Sequence, residues 1–460
     1  MDAMRALSRN STSPSLQPSW SKKRKNEARI PRYAHALLDA ISFSDSAPEL
    51  LNRLNETEWR NLLHLSDRMQ LTLLVGDVSR LHLPPWVRGR IDRNYVDNGL
   101  RFSRLEAALA EINRALTERS IDFVLLKGFT HSSHFSPDPG LRSQGDVDIW
   151  CQPDLVFQAK DVLTALGYRP IGTSKGRHLD PMIREASWKW TGDYFAPDLP
   201  IPVDLHYKLW DETMEHIAGP SEAEIWQRRS PVAMRDGQLV SQLGLADALA
   251  FASLHVLMHL LHGDLRLQRA WELAFFLQKH SDDDEFWSGW KRSYSREDRQ
   301  KQVIPFALCQ EWFNCRLPAC VREEIAMLSS DALLWLDRYG WSPLESLFST
   351  NKDELLLNLS LLGSFKSKVR VFARRLLPVQ AAAGECERKE NDGRSFRAIV
   401  LRTWSFNLQR VRHHLRVLPL TCWRTAAWWW RCQGLRRDSE RAFSVRGQAT
   451  PAEQVDNGRR

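Results

Sequence analysis

The sequence predicts an α+β protein in which a small mixed sheet with its own helices is flanked by N- and C-terminal helical regions. Two periodicities support this fold class. Apolar residues recur at i, i+3, i+4 and i+7 before residue 118 and again after residue 245, which is the period of an amphipathic helix. Between these stretches, residues 146–152 and 201–209 alternate polar and apolar side chains, which is the period of a strand.

Five regions follow from these patterns along the chain. Residues 1–30 are rich in Ser, Pro, Lys and Arg and predict a disordered basic tail, and residues 31–118 predict a helical region. Residues 119–210 predict the α/β core, and residues 211–360 a second helical region. Residues 361–460 are basic, rich in Trp and Arg, and expected to be partly disordered. With 460 residues, 43% of them hydrophobic, the chain is long enough to bury a core.

The α/β core is expected to contain three or four strands around one helix. The run "DFVLLKG" at 122–128 is short, apolar and ends at a glycine, which indicates a buried strand. The run "DLVFQAKDVLTALGY" at 154–168 indicates a helix that ends at Gly167. Residues 178–190 are expected to include one further strand.

Three aspartates are expected on the polar faces of two strands. Asp146 and Asp148 are two residues apart in an alternating segment, so both side chains leave the same face, opposite Val147 and Ile149. Two carboxylates this close repel each other unless a cation lies between them. Asp204 lies on the polar face of the later strand and supplies a third carboxylate if the two strands are neighbours.

Such a carboxylate cluster suits Mg²⁺, which prefers oxygen ligands and is usually held by one or two carboxylates together with substrate phosphates. Three carboxylates can hold two ions, one on a triphosphate and one at an attacking hydroxyl. A DxD pair in a strand is more often a solvent-facing acidic pair, so the pattern alone does not establish a metal site. The order of the segments around it is the stronger observation.

The net charge and the cysteines limit the possible partners and the cellular compartment. The net charge of +8 favours polyanions, namely nucleic acid, nucleoside triphosphates or an anionic membrane surface, without choosing among them. The seven cysteines form no CxxC pair and no secretory leader is evident, which predicts a reducing cytoplasm. No uninterrupted apolar run approaches the roughly 18 residues of a membrane span.

Several ordered motifs carry a resemblance to a known family. The chain resembles the uncharacterised bacterial nucleotidyltransferase branch of the Pol β-like nucleotidyltransferase superfamily over about residues 50–280. The matching positions are Leu125-Leu126-Lys127-Gly128, Arg142, Asp146-Val147-Asp148-Ile149, Leu166-Gly167-Tyr168, Asp204-Leu205-His206-Tyr207, and His255, His259, His262 and Arg266.

The resemblance implies a Pol β-like core and transfer of a nucleoside monophosphate from an NTP to an unknown hydroxyl acceptor, with release of pyrophosphate. It implies two Mg²⁺ ions, with Mn²⁺ as a possible substitute. The expected acceptor is a small molecule, a saccharide or a protein, and nucleic acid is possible but not favoured. The catalytic and metal-binding residues would be Asp146, Asp148 and Asp204, and the nucleotide-binding residues Lys127, Gly128, Arg142 and His206.

Departures from the family pattern leave a second hypothesis open. The usual Gly-Ser after the first strand is Gly128-Phe129 here, so the serine that contacts phosphate is missing unless Ser132 or Ser133 replaces it. The acidic position of the later motif is Glu272. The alternative is a catalytically inactive protein of the same fold that binds nucleotide or acts at a membrane.

Two further features are open to more than one interpretation. The histidines at 255, 259 and 262 share one helix face, but their apolar surroundings favour packed or hydrogen-bonded side chains over metal ligands. The Trp- and Arg-rich stretch 404–432 is compatible with peripheral membrane contact, with RNA stacking, or with packing against the body of the protein.

Overall fold

A seven-stranded mixed sheet lies at the centre of the fold, with helices before and after it in sequence. The computed structural model describes residues 28–44, 48–128, 134–171, 176–184, 191–212, 216–376, 418–419 and 421–434. The strand order across the sheet is β3-β4-β5-β2-β1-β7-β6. The strands are β1 (Phe123–Leu125), β2 (Val147–Cys151), β3 (Arg169–Pro170), β4 (Met182–Ile183), β5 (Val203–His206), β6 (Ser230–Ala233) and β7 (Leu239–Gln242).

The helices account for most of the remaining described chain. Before the sheet come α1 (Arg32–Ala40), α2 (Glu56–Arg68), α3 (Thr72–Val78) and α4 (Pro85–Glu118), and within it α5 (Val156–Ala165) and α6 (Glu222–Gln227). After it come α7 (Leu245–His262), α8 (Leu267–Lys279), α9 (Asp284–Ser293), α10 (Arg296–Phe313), α11 (Ala319–Ala326), α12 (Ser330–Tyr339), α13 (Ser342–Glu345), α14 (Glu354–Leu361), α15 (Phe365–Leu376) and α16, which covers residues 421–434.

The predicted α+β fold class is confirmed, but the sheet is larger than the sequence patterns indicated. Five strands lie between residues 123 and 206 instead of three or four. Two more, β6 and β7, form a hairpin within 211–360, where only helices were expected, and β7 pairs in parallel with β1. These two strands have four residues each and are partly exposed, so they show no clear alternation of polar and apolar residues.

The two faces of the sheet belong to two hydrophobic clusters. Val147 and Ile149 of β2 and Val203 of β5 pack with α5 and the C-terminal half of α4. Trp150, from the opposite face of β2, belongs to the larger cluster that includes α7 and α8. The predicted alternation is therefore correct, and the polar side chains of β2 and β5 point towards the helical body.

One core helix has the dimensions of a membrane span. Leu245–His262 has 18 residues and is apolar enough, by length and composition alone, to cross a bilayer, although the sequence analysis found no such segment. It is 72% buried inside the protein, so it is weak evidence for a span. A core helix shows the same composition because it is surrounded by apolar side chains on most sides.

Some sequence-based expectations concern residues that the structure does not describe. Nearly all of the 1–30 tail, the Phe129 position with Ser132 and Ser133, residues 185–190 of the predicted further strand, and most of 361–460 lie outside the described residues. The further strand itself is present as β4 at Met182–Ile183.

Candidate active site

Two neighbouring parallel strands bring Asp148 and Asp204 together. In the pairing of β2 with β5, Asp148 lies directly opposite Asp204, and Trp150 lies opposite His206. Ligand atoms of Asp148, Asp204 and His206 all lie within 4.8 Å of one another. The pairing of these two strands thus brings together Asp148 and His206, which are 58 residues apart in sequence.

The chemistry of these three side chains fits a divalent cation. Asp148 and His206 are each only 3% exposed, and among the described residues Asp204 Oδ1 and His206 Nδ1 have no hydrogen-bond partner. Buried polar atoms are nearly always satisfied, so these two atoms are available to bind a ligand or an ordered water. Two carboxylates and an imidazole are a donor set that divalent metals accept.

The tautomer of His206 follows from its neighbour. His206 Nε2 lies 3.1 Å from Asp148 Oδ1, and burial lowers the pKa of His206 to about 4 in spite of that carboxylate. Near neutral pH the imidazole is therefore uncharged. An ionised carboxylate only accepts hydrogen bonds, so Nε2–H must donate to Asp148, and Nδ1 keeps its lone pair.

The two paired aspartates differ in their electrostatic surroundings. Burial, together with the carboxylates of Asp148 and Asp146, raises the pKa of Asp204 to about 7. Burial also acts to raise the pKa of Asp148, but the charge of Lys127 and the hydrogen bond from His206 outweigh it and hold the pKa below its ordinary value. The Asp148 carboxyl is therefore ionised at neutral pH, whereas Asp204 keeps a proton to a higher pH than an ordinary carboxyl does.

Asp146 lies at the edge of this group. Its side chain is 32% exposed, and it is not among the three side chains whose ligand atoms converge. Lys127 joins it to the others, because Lys127 Nζ is 3.7 Å from Asp146 Oδ2 and 2.9 Å from Asp148 Oδ2. Lys127, which the sequence analysis assigned to the triphosphate, is thus buried and paired with both carboxylates of the DxD pair.

Gly128 is held in a backbone conformation that suits glycine. Its φ is +79°, and a Cβ built there would lie 2.3 Å from the side-chain nitrogen of Gln144. Gln144 in turn donates from Nε2 to the carbonyl oxygen of Asp146 at 2.8 Å. The close approach of Gly128 to Gln144 therefore supports the start of β2, whereas the chain that follows Gly128 lies outside the described residues.

Arg142 forms an ion pair inside the protein. Its Nε donates to Glu272 Oε1 at 2.6 Å, and Gln268 Nε2 donates to the same oxygen at 3.1 Å. Burial acts to lower the pKa of Arg142, but Glu272 outweighs burial and raises it. The guanidinium assigned to the triphosphate from sequence is therefore held by Glu272 of α8.

Arg101 is a residue of the site region that the sequence analysis missed. It is buried within α4 and donates to the carbonyl oxygens of Gln144, Gly145, Leu199 and Pro200 at 2.7–3.2 Å. These carbonyls precede β2 and β5, so one guanidinium joins the entry loops of both aspartate-bearing strands. Arginine in an amphipathic helix usually lies on the solvent-facing side, so the sequence gives no sign that Arg101 is buried and has this role.

The histidine cluster of α7 is hydrogen-bonded internally. His255 Nε2 and His259 Nε2 lie 3.0 Å apart, and His259 Nδ1 is 3.6 Å from Asp264 Oδ2. Burial lowers the pKa of His259 to about 4 and that of His255 well below its ordinary value. Packed and hydrogen-bonded histidines were the favoured interpretation, and these contacts agree with it.

His178, which no sequence motif singled out, lies against the site. Its ring centroid is 5.1 Å from that of His206, and the two residues form an isolated antiparallel bridge. It therefore covers one side of the His206 imidazole.

The comparisons with known proteins bear on the same segment of chain. A family model described as an uncharacterised nucleotidyltransferase matches residues 55–314. The comparison with curated proteins and the comparison with solved structures each found no match. The matched span is more than half of the 460 residues and includes every site residue from Lys127 to Glu272.

Proposed function

This chain belongs to the uncharacterised nucleotidyltransferase family, and from that membership we propose that it transfers a nucleoside monophosphate from an NTP to a hydroxyl acceptor. The observation that carries the proposal is the register of β2 and β5, which sets Asp148 opposite Asp204, whose buried Oδ1 has no hydrogen-bond partner among the described residues. A pair of acidic residues on adjacent strands, facing one side of a sheet, suits a divalent cation that also binds the phosphates of a triphosphate.

Asp148 and Asp204 would hold a divalent ion such as Mg²⁺, with Asp146 as a further ligand. When bound, such an ion polarises phosphoryl oxygens and lowers the pKa of a coordinated hydroxyl. The number and identity of the ions, two Mg²⁺ or Mn²⁺ by family resemblance, belong to the proposal. His206 orients Asp148 through its Nε2–H, which fixes the carboxylate plane for its ligand.

In the proposed reaction Asp204 accepts the proton of the acceptor hydroxyl. In the metal-free site the pKa of Asp204 is about 7, and a bound cation would displace its proton and leave the carboxylate able to accept one from the hydroxyl. The acceptor oxygen forms a bond to the α-phosphorus as the bond from that phosphorus to the bridging oxygen breaks, and pyrophosphate leaves. Lys127, which pairs with Asp146 and Asp148 in the metal-free site, would compensate negative charge at the reacting phosphate.

The catalytically inactive alternative has one observation in its favour. Lys127 contacts both carboxylates of the DxD pair and compensates one of their two negative charges, which reduces the need for a cation there. A turnover assay separates the two functions, because an inactive module binds NTP but never releases pyrophosphate from it. The acceptor and the cytoplasmic location predicted from the cysteines stay predictions.

The first test is calorimetric titration of the purified protein with each NTP, with and without Mg²⁺. We expect metal-dependent binding of at least one NTP, lost in Asp148→Asn and Asp204→Asn. Asp154→Asn, an exposed acidic residue three positions after β2, is the matched control and should bind as the wild type does. NTP binding that is unaffected by either site variant would overturn the proposal.

The acceptor is then sought with an α-labelled NTP in the presence of saccharides, small alcohols and candidate proteins. Transfer of label together with release of pyrophosphate, absent in Asp204→Asn, would support the enzymatic function over the inactive alternative.

A further inference from the structure

Two helices at the end of the described chain present aromatic side chains to solvent. The second of them, α16, is fixed to the body of the protein by Trp428, which is buried against Tyr339 at a ring distance of 6.1 Å. Arg424 adds an ion pair with Asp353 at 2.9 Å. The orientation of α16 is therefore set by contacts on one side, which leaves its other side outward.

The outward side of α16 and its neighbour α15 is unusually apolar. Trp423 is 68% exposed and Trp430 is 73% exposed, while Phe365 of α15 is 69% exposed. Exposed aromatic residues in such density mark interaction sites, because a soluble surface rarely displays them together. We call this surface the Trp face, defined by Phe365, Val369, Trp423, Trp429 and Trp430.

An apolar groove runs between the two helices within the Trp face. Its cavity volume is about 380 Å³, and its walls include Val369 and Phe372 from α15 and Trp429 and Trp430 from α16. Its acidic wall residue, Asp331, is buried. The groove offers carbon surface and few polar atoms, so it suits aliphatic chains better than the edges of nucleotide bases.

Positive charge surrounds the Trp face. The two helices contain no Asp or Glu, and their described basic side chains, apart from Arg424 in its ion pair with Asp353, are Lys366, Lys368, Arg370 and Arg431. Lys368 lines the groove itself. Aromatic residues that flank a cationic surface are typical of segments that lie in the headgroup region of an anionic bilayer.

We propose that the Trp face binds the surface of an anionic lipid bilayer. The tryptophans and Phe365 insert among the headgroups, and Lys366, Lys368 and Arg370 attract the negative surface potential. This function is independent of nucleotidyl transfer, because α15 and α16 follow the last residue of the family match at 314 and contain none of the site residues. It would bring the catalytic site to a membrane surface.

The test is sedimentation of the full-length protein with vesicles of phosphatidylcholine alone or mixed with phosphatidylglycerol. We expect at least roughly tenfold tighter binding to the anionic vesicles, weakened by added salt. Replacing Trp423 and Trp430 by Ser should reduce binding to anionic vesicles by roughly tenfold or more. Replacing Lys366, Lys368 and Arg370 by Gln should reduce it by roughly a hundredfold, at about one kcal/mol per cation.

Trp86→Ser is the matched control, because Trp86 is an exposed tryptophan of α4, far along the chain from the Trp face and covered in part by Arg60. It should bind vesicles as the wild type does. The aromatic variant and the basic variant change different side chains. If one of them fails to fold, vesicle binding by the other still tests the proposal.

Four outcomes would overturn the proposal. These are equal binding to neutral and anionic vesicles, no binding to either, retention of binding in both sets of variants, and loss of RNA binding or of self-association in the variants without any vesicle binding. The last of these would assign the Trp face to nucleic acid or to a second copy of the chain.

Discussion

Arg142 and Glu272 are 130 residues apart in sequence, and Arg142 Nε donates a 2.6 Å hydrogen bond to Glu272 Oε1 inside the protein. The contact joins the loop that precedes β2 to helix α8. Both side chains are less than a tenth exposed, so neither charge is compensated by water. The carboxylate-bearing strand is thereby tied to the helical body by one ion pair.

The first prediction concerns this ion pair. Glu272→Gln leaves the buried Arg142 guanidinium without its hydrogen-bonded counter-charge, so we expect a loss of about 3–5 kcal/mol in the free energy of unfolding. Urea unfolding measures it. The double variant Arg142→Met/Glu272→Leu should recover most of the loss, because it removes both charges. A double variant as unstable as Glu272→Gln would show that the charge imbalance is not the cause.

The second prediction concerns Arg101. Lysine keeps the charge but cannot reach the carbonyls of both entry loops, so Arg101→Lys should misalign the two aspartates. We expect metal-dependent NTP affinity to fall by about tenfold or more, at a cost of about 1–3 kcal/mol in stability. Arg114→Lys, an exposed position of the same helix, is the control and should change neither quantity. Equal NTP affinity in Arg101→Lys and Arg114→Lys would rule out a positioning role.

The third prediction concerns pH. Because the pKa of Asp204 is raised to about 7, the folded state keeps a proton that an unfolded carboxyl releases near pH 4. The stability that this group contributes is present below about pH 4 and is lost as pH rises through about 7. With metal removed by a chelator, the free energy of unfolding of Asp204→Asn should therefore increase relative to that of the wild type as pH rises from about 4 to about 7.

The readout for Asp204 is the difference in unfolding free energy between the variant and the wild type at several pH values. The difference is used because His206, with its pKa lowered to about 4, acts in the opposite direction in both proteins. A difference that stays constant with pH would contradict the raised pKa. Calorimetry in buffers of different ionisation enthalpy should also show proton release when Mg²⁺ binds near pH 6.

The fourth prediction concerns Gly128. Gly128→Ala adds a Cβ that meets the side chain of Gln144 and must adopt a φ of +79°, so we expect a loss of about 1–3 kcal/mol in stability. Adding Gln144→Ala should remove the part of this loss that comes from the clash with Gln144 and leave the part that comes from the positive φ. If the double variant is no more stable than Gly128→Ala, the contact with Gln144 contributes nothing to the loss.

The sequence by itself determined the faces of the strands and the identities of the acidic residues. Alternation with a period of two is a local property, so Asp148, Asp204 and His206 could be placed opposite the apolar residues without any knowledge of the fold. The order of the motifs added the resemblance to the nucleotidyltransferase family, and the family match over residues 55–314 confirmed that resemblance.

Only the tertiary structure decided which side chains meet. The adjacency of β2 and β5 cannot be derived from alternation, because β3 and β4 lie between them in sequence. The same holds for Lys127 between two carboxylates, for Arg142 on Glu272 and for Arg101 on carbonyls up to 99 residues away. Periodicity reports which face a residue occupies, whereas the partner across that face depends on how distant segments pack.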